Sequence, residues 1–83
     1  MKFKIVERFD REKETEKYEV FYFDEFNSKG PKWLKVIWDE ESYLNFCDHN
    51  FTATIEEAKT KAREFYKSYK IKNGKVIEEF YLD

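Results

Sequence analysis

Thr54-Ile55-Glu56-Glu57-Ala58-Lys59-Thr60-Lys61-Ala62-Arg63-Glu64-Phe65-Tyr66 decides the fold of this chain. Thr54 can accept a hydrogen bond from the backbone N–H of Glu57, and the Glu57 side chain can reach back to the N–H of Thr54. That is the capping box that opens a helix. Behind it, Ile55, Ala58, Ala62, Phe65, Tyr66 and Tyr69 recur on one stripe of a 3.6-residue period. Lys59, Lys61, Arg63, Lys67 and Lys70 occupy the opposite side. Acids in the first turn and lysines in the last complement the helix dipole. Asn73-Gly74 then offers a left-handed stop. The same pair suits a hairpin turn, but the apolar spacing holds through Tyr69, which favours a helix from residue 55 to about 69–72.

Upstream of the helix the pattern changes to strands. Residues 2–9 alternate, with Phe3, Ile5 and Phe9 on one side and Lys2, Lys4 and Arg8 on the other. Val6 and Glu7 interrupt the alternation, which suits an edge strand. Residues 10–17 are nearly all charged and read as a solvated hairpin connection, or else as a short extension of both strands. Residues 18–26 form the strongest strand, with Tyr18, Val20 and Tyr22 opposed to Phe21 and Phe23. Asn27-Ser28-Lys29-Gly30-Pro31 is a dense turn signal. In residues 33–38, Trp33, Lys35 and Ile37 oppose Leu34, Val36 and Trp38. Residues 39–49 read two ways: Asp39 could cap a short helix, or residues 43–47 could form a strand. Tyr43, Leu44, Phe46 and Cys47 favour the strand. Residues 76–82 read as a last strand. The expected fold is a single α+β domain over residues 1–83, a mostly antiparallel sheet of four to five strands with one amphipathic helix packed on one face.

Composition narrows the function. The chain has 83 residues and one cysteine, so no internal disulfide can form. A domain of this size buries only about 60% of its unfolded surface. Yet it carries nine Phe, six Tyr and two Trp, more aromatic surface than one small core needs. Net charge is only −2, but it is unevenly spread. Residues 36–58 hold six acids and no Lys or Arg, whereas residues 59–75 hold seven basic residues and one acid. No secretory leader and no membrane-spanning apolar run is visible. A soluble, cytoplasmic protein without a cofactor is expected.

Phe51-x-x-Thr54-x-x-Glu57-Ala58, following several strands, resembles the helix start of small sheet-plus-helix modules such as the DNA-binding arm domain of tyrosine integrases. The resemblance implies the architecture. Those modules read DNA with an arginine-rich sheet, whereas the strands here offer Lys32 and Lys35 among acids and aromatics.

Strands 18–23 and 33–38 are apolar on both sides, which implies that both sheet faces are covered. One helix covers one face. The other face is left for residues 39–51, for a second copy, or for a partner. The leading expectation is a non-enzymatic protein-binding module of adaptor or inhibitor type, in the style of phage-encoded accessory proteins. It would use Trp33, Trp38, Tyr18, Phe21, Tyr22 and Phe23 to bind a protein or itself. Trp33 and Trp38 point to opposite faces, so one belongs in the core and the other serves as an interface anchor. The alternative is a nucleic-acid-binding module that tracks RNA or DNA phosphates with Lys59, Arg63, Lys67 and Lys70. Cys47-Asp48-His49 is the one cluster with ligand or nucleophile chemistry. It lacks the further ligands of a zinc site and the oxyanion donors of a Cys–His dyad. Neither catalysis nor metal binding is expected.

Overall fold

The computed structural model describes residues 1–73, with side chains described as far as Tyr69. Strands β1 (Phe3–Asp10), β2 (Thr15–Asp24) and β3 (Lys32–Lys35) form an antiparallel sheet in the order β1-β2-β3. Helices α1 (Glu40–Leu44) and α2 (Ile55–Asn73) follow. Among the described residues this makes a small α+β fold of three strands, where four to five were expected. The strand expected at residues 76–82 and the stop expected at Gly74 lie outside the described residues.

The first turn forms inside the charged stretch, whereas the second begins at Asp24, so β2 ends two residues before the expected boundary at Phe26. Asp10 Oδ1 accepts from the N–H groups of Glu12 and Lys13 at 3.0 and 3.3 Å, and Glu14 closes the turn at φ 52°. The strands therefore run on to Asp10 and from Thr15, and only the tip of the charged stretch is a loop. Between β2 and β3, Asp24 accepts from the N–H of Phe26 and Asn27 accepts from that of Lys29. Gly30 then takes φ 99°, a backbone region that other residues rarely enter.

The strand expected at residues 43–47 is corrected. Asp39 accepts from the N–H of Ser42 at 3.2 Å and starts α1 instead. Acids follow in its first turn, so the cap and the dipole prevail over the β preference of Tyr43 and Phe46. Phe46 at φ 60° ends the segment. The chain then returns to the sheet, where Thr52 and Tyr18 exchange both backbone hydrogen bonds at 2.9 Å. Residues 37–51 are thus a loop that leaves the edge of β2 after Val36 and rejoins it at Thr52.

The core lies between the sheet and α2. Val20, Val36, Ala58 and Ala62 are buried, and Phe3, Ile5, Tyr18, Tyr22, Trp38 and Phe65 pack around them. The two alanines let the helix approach the strands closely, and Phe65 fills the remaining space. Its ring lies 4.7 Å from Tyr22 and meets Phe3 edge-on at 6.1 Å. The N–H of Glu57 donates to Thr54 Oγ1 at 3.1 Å, as the cap requires. Ile55, on the same stripe, is 47% exposed and contributes little to this core.

Candidate functional site

The strand register decides what faces away from the helix. Lys4 pairs with Phe21, Phe21 with Lys35, and Phe23 with Trp33. These residues alternate with the core residues of the same strands and so share the opposite face. Among the described residues, neither helix packs on that face; α2 lies on the core side and α1 buries no residue. This face, called the open face below, is a short row of half-buried aromatic rings with cations laid over it. Phe23 and Trp33 have ring centroids 5.3 Å apart. The Lys4 ammonium is 4.6 Å from the Trp33 centroid and 5.6 Å from that of Phe21, and Lys2 is 5.5 Å from Phe23. At the far end Lys17 lies 4.3 Å from the ring of Phe51. The lysine stems partly shield the rings while their charged heads stay in water.

One ion network crosses the same face. Arg8 donates to Glu19 at 2.7 Å, Glu19 meets Lys35 at 2.9 Å, and Lys35 meets Asp48 at 2.6 Å. It links all three strands to the 37–51 loop. Partial burial opposes the charged form of Asp48, but the Lys35 ammonium and the N–H groups of Asn50 outweigh it and hold the carboxyl down at about 2. The same competition ends with Glu19 lowered, by Lys35 and Arg8, and Lys35 raised, by Asp48 and Glu19. Both acids of the network are already engaged by cations. Lys2, Lys4 and Lys17 leave the face with a surplus of positive charge.

Asn50 fixes the loop. It is fully buried, and its Oδ1 accepts from the N–H groups of Trp38 and Asp39 at 2.8 and 2.7 Å. Its Nδ2 donates to the carbonyl of Asp39 at 3.0 Å and to Asp48 at 2.6 Å. One side chain therefore clasps the start of the loop to its end.

The structure divides the aromatic residues singled out in the sequence. Trp33, Phe21 and Phe23 come together on the open face, whereas Tyr18, Tyr22 and Trp38 pack against the core. On α2, Lys59 lies 3.5 Å from Glu56. Lys61 lies 3.6 Å from Glu64 and over the ring of Trp38. Arg63 and Lys67 are exposed, and the Lys70 side chain lies outside those described. The helix back is thus interleaved with acids. Cys47 and His49 are both exposed, on a shallow groove with Asp39, Glu41 and Ser42. Among the described residues no three His, Cys, Asp or Glu side chains are placed to hold a metal ion, and no helix is long and apolar enough to cross a membrane.

Sequence reasoning missed three features. Lys2, Lys4 and Arg8 showed their alternation, but only the register puts them beside Phe21 and Trp33. Asn50 carried no signal, because its partners come from backbone brought near by folding. Phe46 was read as a strand residue and is a protruding one.

No known protein family matches this chain, and neither any curated protein nor any solved structure is detectably similar to it.

Proposed function

We propose that this protein is a small non-enzymatic binding module of adaptor or inhibitor type, and that it engages a protein through the open face of its sheet. One observation carries the reading: Phe21, Phe23 and Trp33 share one sheet face, Phe23 against Trp33, and none of them belongs to the described core. Large rings rimmed by charge are the composition of interface hot spots.

The test places a photo-reactive benzophenone side chain at position 23, on the open face, and in a second protein at position 63, on the helix back. Irradiation in the native cell extract should give a discrete cross-linked protein from position 23 only. Excess unlabelled wild type should compete it away, and excess Trp33→Ala should not. Equal cross-linking from both positions, or equal competition by both proteins, would contradict the reading.

A second reading has an observation of its own. Lys2, Lys4, Arg8 and Lys17 surround the aromatic row, which suits bases stacked on rings with phosphates at the rim. This reading uses the sheet rather than the helix back, where Lys59 pairs with Glu56 while Arg63 and Lys67 are exposed. Binding of an oligothymidylate that falls steeply with salt, and that is lost in Trp33→Ala, would favour it.

A further inference from the structure

The loop of residues 37–51 contradicts the usual economy of a small protein. Its helix α1 buries no residue. Phe46 is 98% exposed, Leu44 71% and Tyr43 52%. Phe46 also takes φ 60°, a conformation that is costly for a bulky residue and persists only where its surroundings impose it. Those surroundings are well defined. The Asn50 clasp closes the loop, the N–H of Cys47 donates to the carbonyl of Ser42 at 2.9 Å, and the N–H of His49 donates to Ser42 Oγ at 3.2 Å. Lys35 braces the loop from the sheet through Asp48. Many hydrogen bonds hold these side chains largely in water, and none of the three belongs to the described core.

Charge indicates what would receive them. The stretch containing the loop, residues 36–58, has no Lys or Arg, and Glu40 and Glu41 stand exposed beside the apolar residues. The open sheet face has the opposite character, an aromatic floor with a rim of surplus ammonium groups. Apolar side chains with an acidic rim complement an aromatic floor with a basic rim. The loop does not fill its own face, since Phe46 is almost fully exposed.

We propose that the 37–51 loop of one chain docks on the open sheet face of a second copy, with Phe46 and Leu44 against the Phe21, Phe23 and Trp33 row and Glu40 and Glu41 toward Lys4 and Lys17. The proposal rests on the reading of the open face as a docking surface and names its occupant. Each chain carries both surfaces, so two copies can exchange loops reciprocally and close a two-fold dimer.

Sedimentation equilibrium of the full chain tests it. Wild type should pass from the mass of one chain to that of two as concentration rises. Phe46→Ser should weaken association at least about tenfold without lowering the unfolding midpoint, because the residue is not part of the core. A loop variant carrying Glu40→Lys and Glu41→Lys, and a face variant carrying Lys4→Glu and Lys17→Glu, should each associate poorly alone. Mixed in equal amounts they should associate with each other, since opposite charges then meet again. A wild type that stays monomeric up to about 1 mM overturns the proposal, and so does a mixture no better than its components. If Trp33→Ala weakens association and Phe46→Ser does not, the open face docks something other than the loop; this inference fails while the proposed function stands. If neither change matters, both fail. Tight, salt-sensitive oligothymidylate binding by a monomer would likewise overturn it in favour of nucleic acid.

Discussion

The two faces of one three-stranded sheet both carry aromatic rings and use them differently. On the α2 side, Tyr22, Trp38 and Phe3 close around Val20, Val36 and Phe65. On the other side, Phe21, Phe23 and Trp33 of β2 and β3 lie beneath Lys4 of β1 and Lys2 just before it. The helix side is organised by ring-to-ring packing and alanines that admit the helix. The open side is organised by cation–π contacts and a chain of ion pairs, which are weak when exposed. The contrast separates a face packed against α2 from one on which, among the described residues, no helix packs.

Tryptophan truncation applies the largest strain to that contrast. Trp38→Ala and Phe65→Ala should each cost about 3–5 kcal/mol of stability, because they leave cavities in a small core. Trp33→Ala should cost only about 1–2 kcal/mol, the loss of one ring pair and one cation–π contact. Denaturant unfolding of the three variants measures this directly. Equal losses for Trp33 and Trp38 would mean that both faces hold the fold. Next in size is the clasp. Asn50→Ala leaves the N–H groups of Trp38 and Asp39 without their acceptor, at about 1–3 kcal/mol for a buried unsatisfied group. Amide hydrogen exchange should quicken in residues 37–51 before it does in α2.

How much of this contrast the sequence revealed depends on the range of the interaction involved. The α2 start at Thr54, the Ala58 and Ala62 stripe and the alternation of β2 rest on neighbours within about one or two turns, and they were legible. The separation of Trp33 from Trp38 was legible too, since strand alternation alone sets it. Which of them meets the helix was not, because that depends on how β3 registers with β2. The 39–49 segment misled for a different reason. Tyr43, Phe46 and Cys47 are good strand residues, but the Asp39 cap and the long-range Asn50 clasp place them in a loop.

Smaller changes sharpen the same division. Thr54→Ala should destabilise by about 0.5–2 kcal/mol through loss of the helix cap, with no effect on association beyond the lost folded fraction; paired melts and sedimentation runs check both. Asp48→Asn should act least, below about 1 kcal/mol for a partly exposed ion pair. Its effect has a defined pH signature. The folded carboxyl is lowered to about 2, against about 3.9 when unfolded. The stabilisation is therefore present above the unfolded value and is lost as pH falls toward 2. Wild type and Asp48→Asn should differ near pH 6 and converge near pH 2. A gap that widens on acidification would show that Asp48 is not held by Lys35.

With only two tryptophans in the chain, one measurement addresses the division between the faces directly. Trp38→Phe leaves Trp33 as the sole emitter, and Trp33→Phe leaves Trp38. Acrylamide quenching of each protein is followed across the concentration range in which wild type associates. Trp33 should become progressively protected as concentration rises, while Trp38 keeps one quenching constant throughout, because in the proposed dimer a second copy covers the open face and the helix already covers the other. A Trp33 signal that is independent of concentration, or protection that appears at Trp38 instead, would contradict the assignment of the open face as the docking surface for a second copy.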